Sequence, residues 1–149
     1  ISPGAVSRKR KQSWASLQEV QSHFSGKKLF ASWDRAVLQD YITQGTRLAD
    51  PGGDPDGPRV LSFDRDIETA IYNTLPDNLQ ALLKRHPPQC PVAFIGGRNS
   101  LEMHQVGMEL TEKVTHGRIM MLDGSHLFPM EKPLATAAAI EASLLNLSA

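Results

Sequence analysis

Two short apolar runs that end in glycine constrain the fold of this chain more than any other feature. The runs are "PVAFIGG" (91–97) and "RIMMLDG" (118–124), and each has the composition of a strand buried on both faces. A helix is predicted between them, from about Asn99 or Ser100 to Val114. Because such strands need neighbours on both sides, we expect further sheet in sequence that precedes this chain.

The loop after the second run carries a histidine, His126. The segment "SHLFPMEK" (125–132) leads into a last helix predicted from Pro133 to about Leu147. In parallel α/β sheets ligands bind at the carboxyl ends of the strands, and His126 stands two residues past Gly124. An imidazole with an ordinary pKa near 6.5 suits general acid and base work at neutral pH. His126 is therefore the candidate catalytic base, and a loop histidine bonded to the backbone is the alternative.

The part of the chain before these runs is predicted to be mainly helical. Ser16 and Glu19 have capping-box spacing, and a second helix is predicted from Asp34 to Gly45. The run "DPGGDPDGP" (50–58) predicts an irregular loop. The remaining predictions are a short strand or extended piece at "RVLSF" (59–63) and two helices around Pro76, Ile67 to Leu75 and Asn78 to Arg85.

Composition argues against several classes of protein. The 16 basic and 16 acidic residues balance, so no nucleic-acid or membrane partner is expected, and Arg8–Lys11 is interpreted as a solvated helix start. No apolar run approaches the roughly 18 residues of a membrane span. The single cysteine, Cys90, is predicted to be buried and inert. The other histidines lack metal-ligand spacing, so no metal is expected.

The segment "GSHLFPMEKP" (124–133) resembles the C-terminal end of the α/β-hydrolase fold, where the histidine of a Ser, acid, His triad follows the last strand. "PVAFIGGRNS" (91–100) resembles the preceding strand and its exit loop, and the helical segments within 7–45 resemble a cap. In detail the chain is similar to fungal hydrolases of toxin-biosynthesis and peroxisomal lipase-like type. The resemblance implies an α/β chain, with a helical cap over 1–89 and the C-terminal part of the hydrolase core, two parallel strands with flanking helices, over 90–149.

The resemblance implies a serine hydrolase that acts on an ester, thioester or related acyl bond of a small apolar metabolite and needs no cofactor. No serine here stands in a G-x-S-x-G elbow, so the nucleophile is expected in an N-terminal part of the same enzyme. The acid is either Glu102 or a residue before Ile1, and the second is favoured. Alternatives are acyl transfer or cyclisation on the same fold, and an interaction module without catalysis.

Several aromatic and apolar residues are candidates for contact with substrate. Trp14, Phe24 and Trp33 lie in the predicted cap, where packing between helices is the alternative interpretation. Phe128 and Met130 flank His126. Relatives of this type imply a cytoplasmic or a peroxisomal location.

Overall fold

The computed structural model describes residues 2–74 and 77–148. Contacts divide the chain into unit 1 (Ile1–Asp77) and unit 2 (Asn78–Ala149). Helices occur in both units, unit 1 contains an antiparallel sheet, and unit 2 contains a parallel pair of strands. The architecture is therefore mixed α/β, which confirms the predicted class.

Two helices of unit 1, α2 and α3, begin where local capping signals predict. The Ser16 hydroxyl accepts a hydrogen bond from the Glu19 N–H at 3.2 Å, and the Asp34 carboxylate accepts one from the Ala36 N–H at 2.9 Å. The predicted helix end at Leu75 and the predicted break at Pro76 lie outside the described residues. The helices are α1 (Pro3–Ser7), α2 (Leu17–Ser25), α3 (Arg35–Gln44) and α4 (Arg65–Asn73), with a 3₁₀ turn at Lys28–Phe30.

The basic cluster 8–11 does not start a helix. The first helix, α1, ends at Ser7, so the cluster follows a helix and the predicted helix start is wrong. Arg10 makes two hydrogen bonds to the Glu68 carboxylate, at 2.8 and 2.9 Å. This part of the cluster is therefore engaged in a partly buried ion pair.

Three very short strands form the antiparallel sheet of unit 1, β1 (Ser13–Trp14), β2 (Thr46–Leu48) and β3 (Arg59–Leu61), in the order β1-β3-β2. The strand predicted in "RVLSF" is confirmed as β3. The other two strands were not predicted, because two or three residues are too few to show an alternating pattern. The predicted loop 50–58 is irregular and joins β2 to β3. The Asp50 carboxylate stabilises a turn in it by accepting a hydrogen bond from the Gly52 N–H.

Aromatic rings fill the core of unit 1. Phe24 is 2% exposed, and its ring lies edge-on to those of Phe30 and Tyr41, each with a centroid separation of 5.3 Å. The buried cluster comprises Trp14, Val20, Phe24, Phe30, Ile42 and Leu61, with Leu17, Trp33, Leu38 and Tyr41 packed against it.

Unit 2 contains the predicted pair of parallel strands. Phe94 pairs with Ile119 and Gly97 pairs with Leu122, so the two strands run in register to the same edge. The elements are α5 (Leu79–Arg85), β4 (Phe94–Gly97), α6 (Leu101–Val106), α7 (Glu109–Thr115), β5 (Ile119–Leu122), α8 (Phe128–Glu131) and α9 (Pro133–Ser148).

Three details of unit 2 differ from prediction. The helix expected to run unbroken to Val114 is divided by Gly107, whose φ of 79° is left-handed and ends α6. The loop after His126 contains the single helical turn α8. Cys90 is exposed, so its predicted burial is wrong: it precedes β4 in an irregular segment.

The side chains of unit 2 are less buried than those of unit 1. The residues of β5 are half-buried, although their composition predicted burial on both faces. In the described part of unit 2, Ala139 alone is a fully buried apolar side chain. Among the helices of residues 2–74 and 77–148, none combines the length and apolar composition needed to cross a bilayer.

Candidate active site

The exit loops of β4 and β5 lie side by side at the carboxyl edge of the strand pair. The Arg98 N–H donates to the Leu122 carbonyl at 2.7 Å, and the Asn99 N–H donates to the Gly124 carbonyl at 2.9 Å. These two bonds continue the parallel ladder beyond the strands. His126 therefore lies at the edge where the order of elements predicted it.

Gly97 allows the exit loops of β4 and β5 to lie in close contact. A Cβ atom built at this position would overlap the carbonyl oxygen of Ser125 and lie 2.8 Å from that of Gly124. Only glycine fits without a shift of backbone. The second glycine of "IGG" is thus a requirement of the site's geometry.

Glu131 secures the turn that carries His126. Its carboxylate accepts hydrogen bonds from the Ser125 N–H at 2.9 Å and from the Ser125 hydroxyl at 2.5 Å. The same hydroxyl accepts from the Leu127 N–H at 3.0 Å. Ser125 therefore acts as a turn residue, and the backbone on both sides of His126 is held.

A salt bridge joins the two ends of the loop that carries His126. The Lys132 ammonium donates to the Asp123 carboxylate at 2.8 Å, and Asn99 contacts the other oxygen of that carboxylate at 3.4 Å. The hydrogen bond from Lys132 and its charge hold the pKa of Asp123 below its ordinary value. Both groups are largely exposed, so this pair contributes little to stability.

Two polar side chains at the start of α6, its N-cap Ser100 and Glu102 of its first turn, contact the ring of His126. Its Nδ1 lies 3.1 Å from the Ser100 hydroxyl and 3.8 Å from the Glu102 carboxylate. The second contact is an ion pair when the imidazole is protonated. The side chains of His126 and Glu102 are each 60% exposed, whereas Ser100 is 2% exposed. Both of these contacts are made at Nδ1.

A mainly apolar pocket of about 280 Å³ opens beside these three residues. Its size is close to the lower end of the range for small-molecule sites. Its polar side chains are those of Ser100, Glu102, Thr111 and His126. Its apolar side chains are Phe94, Ile95, Met103, Val106, Met108 and Phe128.

The structure brings together some of the predicted site residues. Phe128 lines the pocket next to His126, as does Glu102, whereas Met130 is 37% exposed and is not part of the lining. Trp14 and Phe24 are buried in the core of unit 1, and Trp33 packs against that core with its ring 4.8 Å from that of Phe30. Packing accounts for the positions of these three rings, and their contact with substrate stays a prediction.

Sequence reasoning missed Ser100. The one sequence feature that marks Ser100 is its position as a helix N-cap. In the structure its hydroxyl accepts a hydrogen bond from the Met103 N–H at 3.1 Å. A capping serine is common, and nothing local indicates that it faces a histidine 26 residues away. Ser100 is also unlike an elbow nucleophile, since it is buried and its hydroxyl is engaged by three partners.

In the described ranges, no group of three histidine, cysteine, aspartate or glutamate side chains is placed to hold a metal ion. Comparison of the sequence with protein-family models and with curated proteins finds no match.

Proposed function

We propose that this chain is the histidine-bearing C-terminal part of an α/β-hydrolase that cleaves an ester, thioester or related acyl bond of a small apolar metabolite. The observation that carries the proposal is the setting of His126. Its imidazole stands on a hydrogen-bonded turn at the carboxyl edge of two parallel strands. A carboxylate lies near Nδ1, and an apolar pocket opens beside the ring. This arrangement suits acyl-transfer chemistry.

In the proposed reaction His126 acts first as base and then as acid. Its Nε2 takes the proton of a serine hydroxyl as that oxygen attacks the acyl carbon, and the nucleophile belongs to a segment outside these 149 residues. The bond to the leaving alcohol or thiol then breaks, and the imidazolium returns the proton to it. Water, activated in the same way, releases the acyl group from the serine.

Glu102 is the acid in this proposal. A residue before Ile1 was favoured from sequence, but the distance of 3.8 Å between the Glu102 carboxylate and Nδ1 supports Glu102. A negative charge at this distance stabilises the imidazolium that forms during proton transfer. The neighbouring Asn99, at the position where many hydrolases of this fold have aspartate, carries no charge to do so.

The remaining parts of the proposal follow the resemblance. Residues 1–89 form the cap and residues 90–149 belong to the core. The enzyme is of the fungal toxin-biosynthesis or peroxisomal lipase-like type, in cytoplasm or peroxisome. The small volume of the pocket and its methionine and phenylalanine lining support a small apolar acyl substrate.

The test is covalent labelling with a fluorophosphonate serine probe, followed by intact-mass measurement of every polypeptide that copurifies with this chain. We expect one polypeptide to gain the mass of the probe in the wild type and to lose that gain in His126→Ala. The matched control is His86→Ala, because His86 is an exposed histidine outside the pocket.

Absence of labelling in the wild type would contradict the proposal, and so would labelling that survives His126→Ala. Either result would favour the interaction module without catalysis. Labelling lost in His126→Ala but retained in His86→Ala would support the assignment of the base.

A further inference from the structure

Ser100 lies at the centre of the polar contacts around His126. Its hydroxyl oxygen is 3.1 Å from His126 Nδ1, 3.1 Å from the Met103 nitrogen and 3.3 Å from a Glu102 carboxylate oxygen. The three partners come from the first turn of α6 and from the loop after β5. One buried hydroxyl therefore links a helix start, a carboxylate and the candidate base.

The donors and acceptors in this cluster can be satisfied together in only one way. A serine hydroxyl has one proton to donate and two lone pairs to accept with. The Met103 N–H can only donate, and it occupies one lone pair. An ionised Glu102 carboxylate can only accept, so it takes the hydroxyl proton. The second lone pair is then left for His126, which must donate from Nδ1.

We infer that Ser100 is a positioning residue that holds the proton of neutral His126 on Nδ1 and leaves Nε2 unprotonated. The catalytic consequence of this inference rests on the proposed function, whereas the tautomer itself does not. With Nδ1 as donor, Nε2 is the nitrogen that can accept the proton of a nucleophile. When it does so, the Nδ1 proton stays in place and the hydrogen bond to Ser100 persists.

The burial of Ser100 explains why Glu102 alone would not suffice. The side chains of His126 and Glu102 are each 60% exposed, and exposed ion pairs in water are weak and mobile. Ser100 is 2% exposed and is fixed by the backbone of α6. A hydroxyl in this position orients both flexible partners, and it retains its effect when salt screens their charges.

The tautomer can be measured directly by long-range ¹H–¹⁵N NMR of protein labelled at its histidine rings. The measurement is made at about pH 8.5, where an ordinary imidazole is neutral, and the His126 signals are assigned with His126→Gln. We expect protonated Nδ1 and unprotonated Nε2 at His126. The exposed His86 ring is the internal reference, for which a mixture of tautomers is expected.

Two variants test the Ser100 hydroxyl, which serves the helix cap and His126 together. Ser100→Thr keeps both, so it should retain the wild-type tautomer. Ser100→Ala removes both and should return His126 to a mixture like that of His86. Its rate of probe labelling should fall about 10- to 100-fold, the range seen when outer partners that orient a metal-binding histidine are removed. The dispersion of the amide spectrum shows whether this variant remains folded.

A wild-type His126 protonated on Nε2 would overturn the inference whether or not any variant folds. So would an unchanged His126 tautomer in folded Ser100→Ala. The proposed function fails separately. Protonated Nδ1 without any labelled serine would keep the tautomer and reject the hydrolase, whereas His126-dependent labelling with the opposite tautomer would keep the hydrolase and reject the role of Ser100.

Discussion

Unit 1 and unit 2 are of similar length, but they bury very different side chains. Unit 1 encloses a cluster of aromatic and aliphatic residues, and both tryptophans of the chain contribute to it. Unit 2 encloses mainly small and polar groups, with Ala139 as the one fully buried apolar side chain in its described part. The candidate site lies in unit 2. Apolar burial, which supplies most of the stability of a fold, is thus concentrated in the unit that does not contain His126.

The difference has a cause in the secondary structure. An antiparallel sheet can leave one face in water, and the helices of unit 1 cover the other with their aromatic residues. A parallel pair needs cover on both faces and further strands at its edges, and β4 and β5 have only each other in the described chain. Apolar residues of α9, including Leu134 and Leu145, are exposed.

The largest effect is expected from Phe24→Ala in the core of unit 1. Removal of a buried phenylalanine that contacts several rings should lower the free energy of unfolding by about 3–5 kcal/mol. Urea unfolding followed by tryptophan fluorescence measures this, because Trp14 and Trp33 both lie in unit 1. The control is Phe63→Ala, since Phe63 is 38% exposed and should matter much less. Equal losses in the two variants would contradict the assignment of the core.

The next effect is expected from Gly97→Ala in unit 2. The added methyl group meets backbone rather than a flexible side chain, so the cost should be about 1–3 kcal/mol and the two exit loops should separate. Hydrogen exchange of the Asn99 amide, which bonds to the Gly124 carbonyl, should report this as a loss of protection.

Gly107→Ala is the matched control for Gly97→Ala. Space is open around Gly107, so the cost of this substitution comes from the backbone at φ 79° and ψ 172°, a conformation essentially restricted to glycine, and should be about 1–3 kcal/mol. Protection of the Asn99 amide should survive this change. If both variants left that amide protected, the close approach of the loops at Gly97 would be refuted.

The smallest effect is a pH dependence in unit 1. Burial against Trp14 and Phe24 lowers the pKa of His23, and the charges of Lys27 and Lys11 add to this. The folded state therefore binds the proton less readily than the unfolded chain. The resulting stability is fully present above the ordinary value of 6.5 and declines as the pH falls through that value towards the lowered one.

The measurement is the urea midpoint of tryptophan fluorescence at about pH 7.5 and about pH 5, across which an ordinary histidine titrates. We expect a modestly lower midpoint at the acidic pH in the wild type and a smaller difference in His23→Gln. A larger difference in that variant would show that the sign is wrong. Because the ring of His23 is only half-buried, the change should not unfold the protein.

Much of the fold could be predicted because its signals are local. Ser16 and Asp34 are side chains that bond to backbone within three residues, and both helices begin where these caps stand. The strands β4 and β5 and the irregular loop 50–58 were also predicted, from composition and turn formers. By contrast, the short strands β1 and β2 exist through pairing with β3, and no pattern within two or three residues reveals such a pairing.

In the candidate site, too, local features could be predicted from the sequence and long-range contacts could not. The position of His126 after a buried strand could be predicted, since the carboxyl edge of parallel strands collects functional residues. Glu102 could be named only as one of two candidates for the acid, and the contact of Ser100 with Nδ1 could not be predicted. Both contacts depend on the register of β4 against β5 and on the approach allowed at Gly97.

The sequence by itself therefore determined the α/β class, the starts of the main helices and the edge on which His126 lies. These features depend on side chains that act within one turn or one strand. Only the tertiary structure decided that the aromatic residues of unit 1 pack against one another and that Ser100 and Glu102 meet His126. Contacts between residues distant in the chain form when strands pair in one register, and that choice follows from the packing of the whole unit.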